Sequence, residues 1–103
     1  MNTENLKIRQ ILTLAYENHR KSNLKLAESL YNKILKIDSN HTDTIFLLGT
    51  LFLQKKEFEN AIELFHKVLT INPNHVNAIH NLGFVSIEIG KPKEAKELLK
   101  KTI

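Results

Sequence analysis

The side chains best suited to bind a metal or move a proton in this sequence are its five histidines, His19, His41, His66, His75 and His80. A zinc site would need two of them one helical turn apart, as in H-E-x-x-H, or carboxylates and thiolates gathered beside them. Neither pattern occurs. No HExxH is present, no carboxylate-rich cluster completes a set, and there is no cysteine. The same absence of cysteine removes disulfides and cysteine nucleophiles, and it fits a reducing compartment. Gly49, Gly83 and Gly90 lie too far apart to make a glycine-rich phosphate loop. The chain is therefore expected to be no enzyme, with no catalytic residue, no metal and no cofactor.

Two of the histidines recur for another reason. His41 and His75 close the stretches LKIDSNH (Leu35–His41) and LTINPNH (Leu69–His75), whose starts are 34 residues apart. That period holds along the chain, in Ile11, Ile45 and Ile79, in Leu14, Leu48 and Leu82, in Ala15, Gly49 and Gly83, in Ala27, Ala61 and Ala95, in Leu30, Leu64 and Leu98, and in Tyr31, Phe65 and Leu99. Within a unit the apolar residues fall three and four apart, as in Ile45, Leu48, Gly49 and Phe52 followed by Ala61, Leu64, Phe65 and Val68, which is helical spacing. Each unit is read as two antiparallel helices with a tight turn. The turns are Arg20–Asn23, Lys55–Glu57 and Gly90–Pro92, the last with glycine to end one helix and proline for the first turn of the next. The repeated stretches then serve as helix end, turn and helix start, with Asn40 and Asn74 as expected N-caps. Gly49 and Gly83 are expected to let Ala61 and Ala95 approach closely.

Composition limits what such a chain does. The longest nearly apolar run, Ile45–Leu53, is far below the ~20 residues that cross a bilayer. The opening MNTENLKIRQ has no apolar core of a secretory signal, so the chain reads as cytoplasmic, with no membrane insertion. The net charge of +4 comes from scattered lysines with only two arginines, which reads as a solvated surface, and no nucleic acid is expected as a partner. Glu59–Glu63–Lys67 and Glu94–Glu97–Lys101 read as exposed helix faces with ion-pair spacing.

The unit LLGTLFLQKKEFENAIELFHKVLTINPN resembles a tetratricopeptide repeat, in the register Leu48-Gly49, Phe52, Ala61, Phe65 and Pro73. It departs from that pattern at Ile45, where the family favours tryptophan, and at Val68, where it favours alanine. The first unit carries Ala15 for glycine, Asn18 for the aromatic and Ser39 for proline. The third carries Leu82-Gly83 and Ala95 and stops at Ile103. The resemblance implies a single all-α domain over residues 1–103, a right-handed superhelical solenoid of six helices. Residues 1–7 lead into the first helix, residues 8–41 and 42–75 are repeats 1 and 2, and residues 76–103 are a truncated repeat 3.

By the same resemblance the first helix of each pair lines a concave groove. The groove residues are then Arg9, Leu12, Thr13, Tyr16 and Arg20 from the first unit; Asp43, Phe46, Leu47, Thr50 and Gln54 from the second; and Asn77, His80, Asn81, Phe84 and Glu88 from the third. Periodicity supports part of this independently. Helix 42–54 is apolar nearly all round, so Phe46 and Leu47 need a cover beyond their own pair. Leu12, Tyr16, Leu47, Asn77 and Asn81 occupy the positions at which chaperone-binding members carry a two-carboxylate clamp, and that clamp is missing. Asn81 matches one rung of the asparagine ladder of O-linked N-acetylglucosamine transferases, but Thr13 and Leu47 replace the others.

The expected function is protein–protein interaction, a peptide or helix of a partner lying in a partly apolar groove. Two alternatives stand beside it. One is a self-assembling scaffold, a homo-oligomer stacked through terminal helices, with Leu98, Leu99 and Ile103 as a candidate oligomer face. The other is a substrate-presenting N-terminal arm of a larger bacterial enzyme such as a glycosyltransferase. At the opposite end, Asn2–Lys7 is polar enough to cap the stack.

Overall fold

A computed structural model describes residues 3–90. Among them are five helices and no strand: α1 (Thr3–Arg20), α2 (Leu24–Ile37), α3 (Thr42–Gln54), α4 (Phe58–Ile71) and α5 (Val76–Glu88). The expected sixth helix, together with Leu98, Leu99, Ile103, Ala95 and the Glu94–Glu97–Lys101 series, lies outside the described residues. The packing is most extensive inside the pairs α1/α2 and α3/α4; α2 lies on α3 and α4 on α5, while α1 meets α3 and α3 meets α5 over short stretches. This is the solenoid of antiparallel helix pairs that the 34-residue period implies.

Burial follows the period. One core cluster holds Ala15, Ala27, Tyr31, Leu48 and Leu51, and the next holds Ile45, Ala61, Phe65, Val68, Ala78, Leu82 and Val85. Leu35, Phe52 and Leu64 pack against both, so the core runs on without a break between units. The register also shows where cover ends. Leu48 and Leu82 are 3% and 1% exposed, whereas Leu14, at the same register position, is 49% exposed. On that face of α1, Gln10 and Glu17 stand where α3 has Thr44 and Leu51, which keeps much of it polar.

The turns inside the pairs share one conformation. Ser22, Lys56 and Gly90 fall one period apart, and all three have positive φ, at 66°, 62° and 80°. In the first two turns the following amide reaches back to close a Schellman motif, Asn23 N–H to Asn18 O and Glu57 N–H to Phe52 O, both 2.9 Å. Only glycine adopts this region without a Cβ penalty, so serine and lysine sit there at a cost.

Three local expectations need correction. The N-caps are His41 and His75, not Asn40 and Asn74. The side chains of Asp38 and Asn72 accept the backbone N–H of Asn40 and Asn74 (3.1 and 3.2 Å), closing turns that push the extended, capping conformation one residue on. The close approach at Gly49 is to Phe65 rather than Ala61: a Cβ built there would lie 2.7 Å from Phe65 Cε1. Finally, the ion pairs among the described residues are Glu17–Lys21, Glu28–Lys55 and Glu57–Lys55, and none joins Glu59, Glu63 and Lys67.

Candidate functional site: a groove between the first helices of two repeats

The parallel helices α1 and α3 touch only briefly, and between them lies an open cavity of about 630 Å³. Its lining is Leu12, Thr13, Tyr16, Glu17 and Arg20 from α1, with Asp43, Phe46 and Leu47 from α3. Residues 12, 13, 16, 17 and 20 recur at three- and four-residue steps, which places them on one face of α1. Residues 43, 46 and 47 do the same on α3.

The apolar wall is made of Leu12, Phe46 and Leu47, all half-buried, and Tyr16, 46% exposed. Phe46 is held from behind. Its ring lies 5.8 Å from Phe65 and 4.9 Å from His75, and His75 is itself fixed because its Nδ1 accepts the Ala78 N–H at 3.1 Å. That capping bond requires the His75 proton to be on Nε2. Thr13 donates its hydroxyl to Arg9 O within the helix, so it presents little but its methyl to the cavity.

The charged residues of the lining are Glu17, Arg20 and Asp43. Glu17 pairs with Lys21 at 3.2 Å, and Arg20 and Asp43 are the lining charges without an ion-pair partner among the described residues. The groove therefore combines an apolar wall with the cation Arg20 and the anions Glu17 and Asp43, which suits an apolar side chain carried on a polar backbone.

Of the residues expected to line a groove, the cavity brings together Leu12, Thr13, Tyr16, Arg20, Asp43, Phe46 and Leu47. Arg9 is exposed outside it, and Thr50 is half-buried with its hydroxyl on Leu47 O at 2.7 Å. Gln54 is engaged by His19 instead. Asn77, His80, Phe84 and Glu88 are exposed on α5, and Asn81 is half-buried, none of them lining this cavity. Glu17 lines it and was not foreseen; its position four residues from Thr13 and three from Arg20 was the available signal.

At one end of the groove a polar bridge joins three helices. His19 Nε2 lies 3.2 Å from Gln54 Oε1, and His19 Nδ1 lies 2.9 Å from the hydroxyl of Tyr31, whose side chain is fully buried. Because Gln54 Oε1 can only accept, His19 carries its proton on Nε2, and Nδ1 accepts from Tyr31. Burial lowers the His19 pKa from its ordinary value, with the Gln54 hydrogen bond opposing. Burial also pushes the Tyr31 phenol up to about 12, with Tyr16 adding to the rise. Among the described residues no three histidines or carboxylates gather as metal ligands, and no described helix is long and apolar enough to cross a membrane.

With this geometry in view, known proteins supply the lineage. The family described as anaphase-promoting complex, cyclosome, subunit 3 matches residues 20–102. The chain belongs to this family. It is accordingly a tetratricopeptide-repeat protein, as the register of Leu48-Gly49, Phe52, Ala61, Phe65 and Pro73 implies. No curated protein sequence matches it significantly. Among solved structures, a crystal structure of MamA is 22% identical with a TM-score of 0.86, over 93% of this chain and 56% of that one. A mutant of the Thermobaculum terrenum O-GlcNAc transferase is 20% identical with a TM-score of 0.89, over 99% of this chain and 20% of that one. At these identities the likeness is one of fold. The chain of this tetratricopeptide-repeat protein spans little more than half the length of the MamA chain and a fifth of the transferase.

Proposed function

We propose that the chain is a non-catalytic protein-interaction module that holds a peptide or helix of a partner protein in the groove between α1 and α3. Support comes from one observation above all. The cavity of about 630 Å³ presents Leu12, Tyr16, Phe46 and Leu47 along two parallel helices, with Arg20 and Asp43 set to orient a polar backbone. Exposed aromatic and aliphatic side chains arranged in a concavity bury apolar area when a segment docks, and that burial drives association.

The test is to select peptides that bind the chain from a random library and measure their affinity for variants. Leu47→Lys is expected to weaken binding by at least about tenfold, equivalent to ~1.4 kcal/mol, while leaving helix content unchanged. Lys33→Glu, on an exposed face of α2 outside the cavity, is expected to leave affinity alone. Equal binding by the native chain and Leu47→Lys would move the site elsewhere.

A second reading draws on Leu14, which is exposed at a register position that is buried in both following units. A copy of the chain stacked end to end would cover it. Light scattering over a wide concentration range decides this: a strict monomer removes the scaffold reading, and an oligomer that Leu14→Lys dissolves supports it.

A further inference from the structure

The two lining charges without an ion-pair partner stand at opposite ends of the groove. Arg20 lies one period before Gln54, and the hydrogen bond from His19 to Gln54 sets these ends of α1 and α3 side by side. Asp43 lies eleven residues before Gln54 on α3, about 16 Å back along the axis. Between the two come Leu12, Tyr16, Phe46 and Leu47. We propose that the occupant of this groove is a short amphipathic helix of a partner protein, about three turns long, running parallel to α1 and α3 with its N-terminus against Asp43 and its C-terminus against Arg20. The inference rests on the groove reading given above and adds the form and direction of the occupant.

The form follows from what the walls leave unbonded. An extended segment turns backbone N–H and C=O groups toward the walls, where each needs a partner or is left dry. The walls offer few. Thr13 donates its hydroxyl to Arg9 O and Thr50 to Leu47 O, at 2.9 and 2.7 Å, and Gln54 is held by His19. The backbone along the middle of both walls is bonded within its own helices. Among the neutral side chains of the lining, that leaves the Tyr16 hydroxyl to meet a backbone group. A helix satisfies its interior amides itself and needs only apolar cover from the groove, which Leu12, Phe46 and Leu47 supply.

The direction follows from the helix ends. The first N–H groups of a helix are unbonded and form the positive end of its dipole; the last C=O groups are unbonded and form the negative end. The Asp43 carboxylate accepts hydrogen bonds and the Arg20 guanidinium donates them. A parallel helix satisfies both, whereas an antiparallel one sets carbonyls against the carboxylate and N–H groups against the guanidinium. The neighbouring charges do not reverse this. Glu17 lies one turn before Arg20 but is engaged by Lys21 at 3.2 Å, and Arg9, one period before Asp43, lies outside the cavity. A fitting partner helix therefore carries no acid in its first turn and no base in its last, because Asp43 and Arg20 take the place of those side chains.

The probe is a peptide selected on the native chain from a library of acetylated, amidated peptides of about twelve residues, roughly three turns, with uncharged first and last turns. A nitroxide is carried on a cysteine at its N-terminus; the chain has no cysteine, so the label stays on the peptide. The bound peptide is expected to show helical carbon shifts, and the broadening of the chain's amide signals to be strongest around Asp43 and weakest around Arg20 and Gln54. In Arg20→Glu/Asp43→Lys the same peptide is expected to turn round and the gradient to reverse. Arg20→Gln and Asp43→Asn are each expected to weaken binding about threefold. Extended shifts, a flat gradient or one rising toward Arg20, a gradient that the double variant leaves unchanged, or full affinity in both single variants would overturn the inference. Should the double variant lose helicity, the native gradient and the single variants decide, since Arg20 and Asp43 are both exposed. Binding that Leu47→Lys leaves unchanged, or a selection that recovers no peptide, overturns the groove reading and this inference with it. A peptide sensitive to Leu47→Lys but carrying the wrong gradient overturns the direction alone.

Discussion

The two joints between repeats occupy the same places in the period and are built from opposite chemistry. At the first joint His19 of α1, Tyr31 of α2 and Gln54 of α3 form a hydrogen-bonded bridge. At the second, the residues one period on are Leu53, Phe65 and Glu88: Phe65 is fully buried, Leu53 packs against its cluster, and Glu88 is exposed. The repeat thus fixes the geometry of a joint but not the force that closes it. An apolar joint is indifferent to pH and depends on packing; a polar one depends on the protonation and alignment of a few atoms.

Breaking the apolar joint is expected to have the largest effect. Phe65→Ala leaves a cavity under Phe46 and beside Gly49, and should lower stability by about 3–5 kcal/mol, read from urea unfolding. Gly49→Ala attacks the same contact from the other side. A Cβ at 2.7 Å from Phe65 Cε1 forces the ring to move, and that strain, typically about 1–3 kcal/mol, outweighs the ~1 kcal/mol gained in helix propensity. Its unfolding midpoint should fall, by less than that of Phe65→Ala. A midpoint that rises would mean that the ring yields freely.

The polar joint should be more tolerant. Tyr31→Phe removes the hydroxyl and leaves His19 Nδ1, on a half-buried ring, to find water, so a loss of about 1 kcal/mol is expected from the same measurement. The pH dependence sharpens the contrast. The folded pKa of His19 lies below its ordinary 6.5, so in that interval the unfolded chain binds more protons than the folded one. The contribution of His19 is fully present above pH 6.5 and is lost as pH falls through the lower folded value. Stability of the native chain should decline over that window, and His19→Gln should flatten the decline; Leu53, at the matching place in the second joint, has nothing to titrate.

The smallest change concerns a feature that both units share. Lys56 holds a positive φ that its neighbour one period on, Gly90, adopts without strain. Lys56→Gly is expected to raise stability by about 0.5–1 kcal/mol, because relief of the left-handed strain exceeds the added freedom of the unfolded chain.

How far the sequence reveals this molecule depends on which interactions are periodic. Helix pairs, the 42–54 span of α3 and the buried series at Ile45, Ala61, Phe65 and Leu82 are legible because burial on one helical face leaves a three- and four-residue trace. The positions Leu12, Tyr16, Phe46 and Leu47, which line the cavity, come from the family resemblance, which puts the first helix of each pair on the concave side. The exposure of Leu14 is not legible from its own unit, since it depends on what lies beside α1. The capping role of His41 and His75 escapes a propensity argument because Asp38 and Asn72 close the turns first. The His19–Gln54 contact spans one period plus one residue and involves side chains that do not repeat, so no periodic signal marks it.

Nuclear magnetic resonance of the chain with a peptide selected for binding tests the central claim most directly. The interaction-module account predicts shift changes concentrated at Leu12, Tyr16, Arg20, Asp43, Phe46 and Leu47, saturating with the binding curve. Changes confined to the exposed faces of α2 and α4, with these six residues silent, would contradict it.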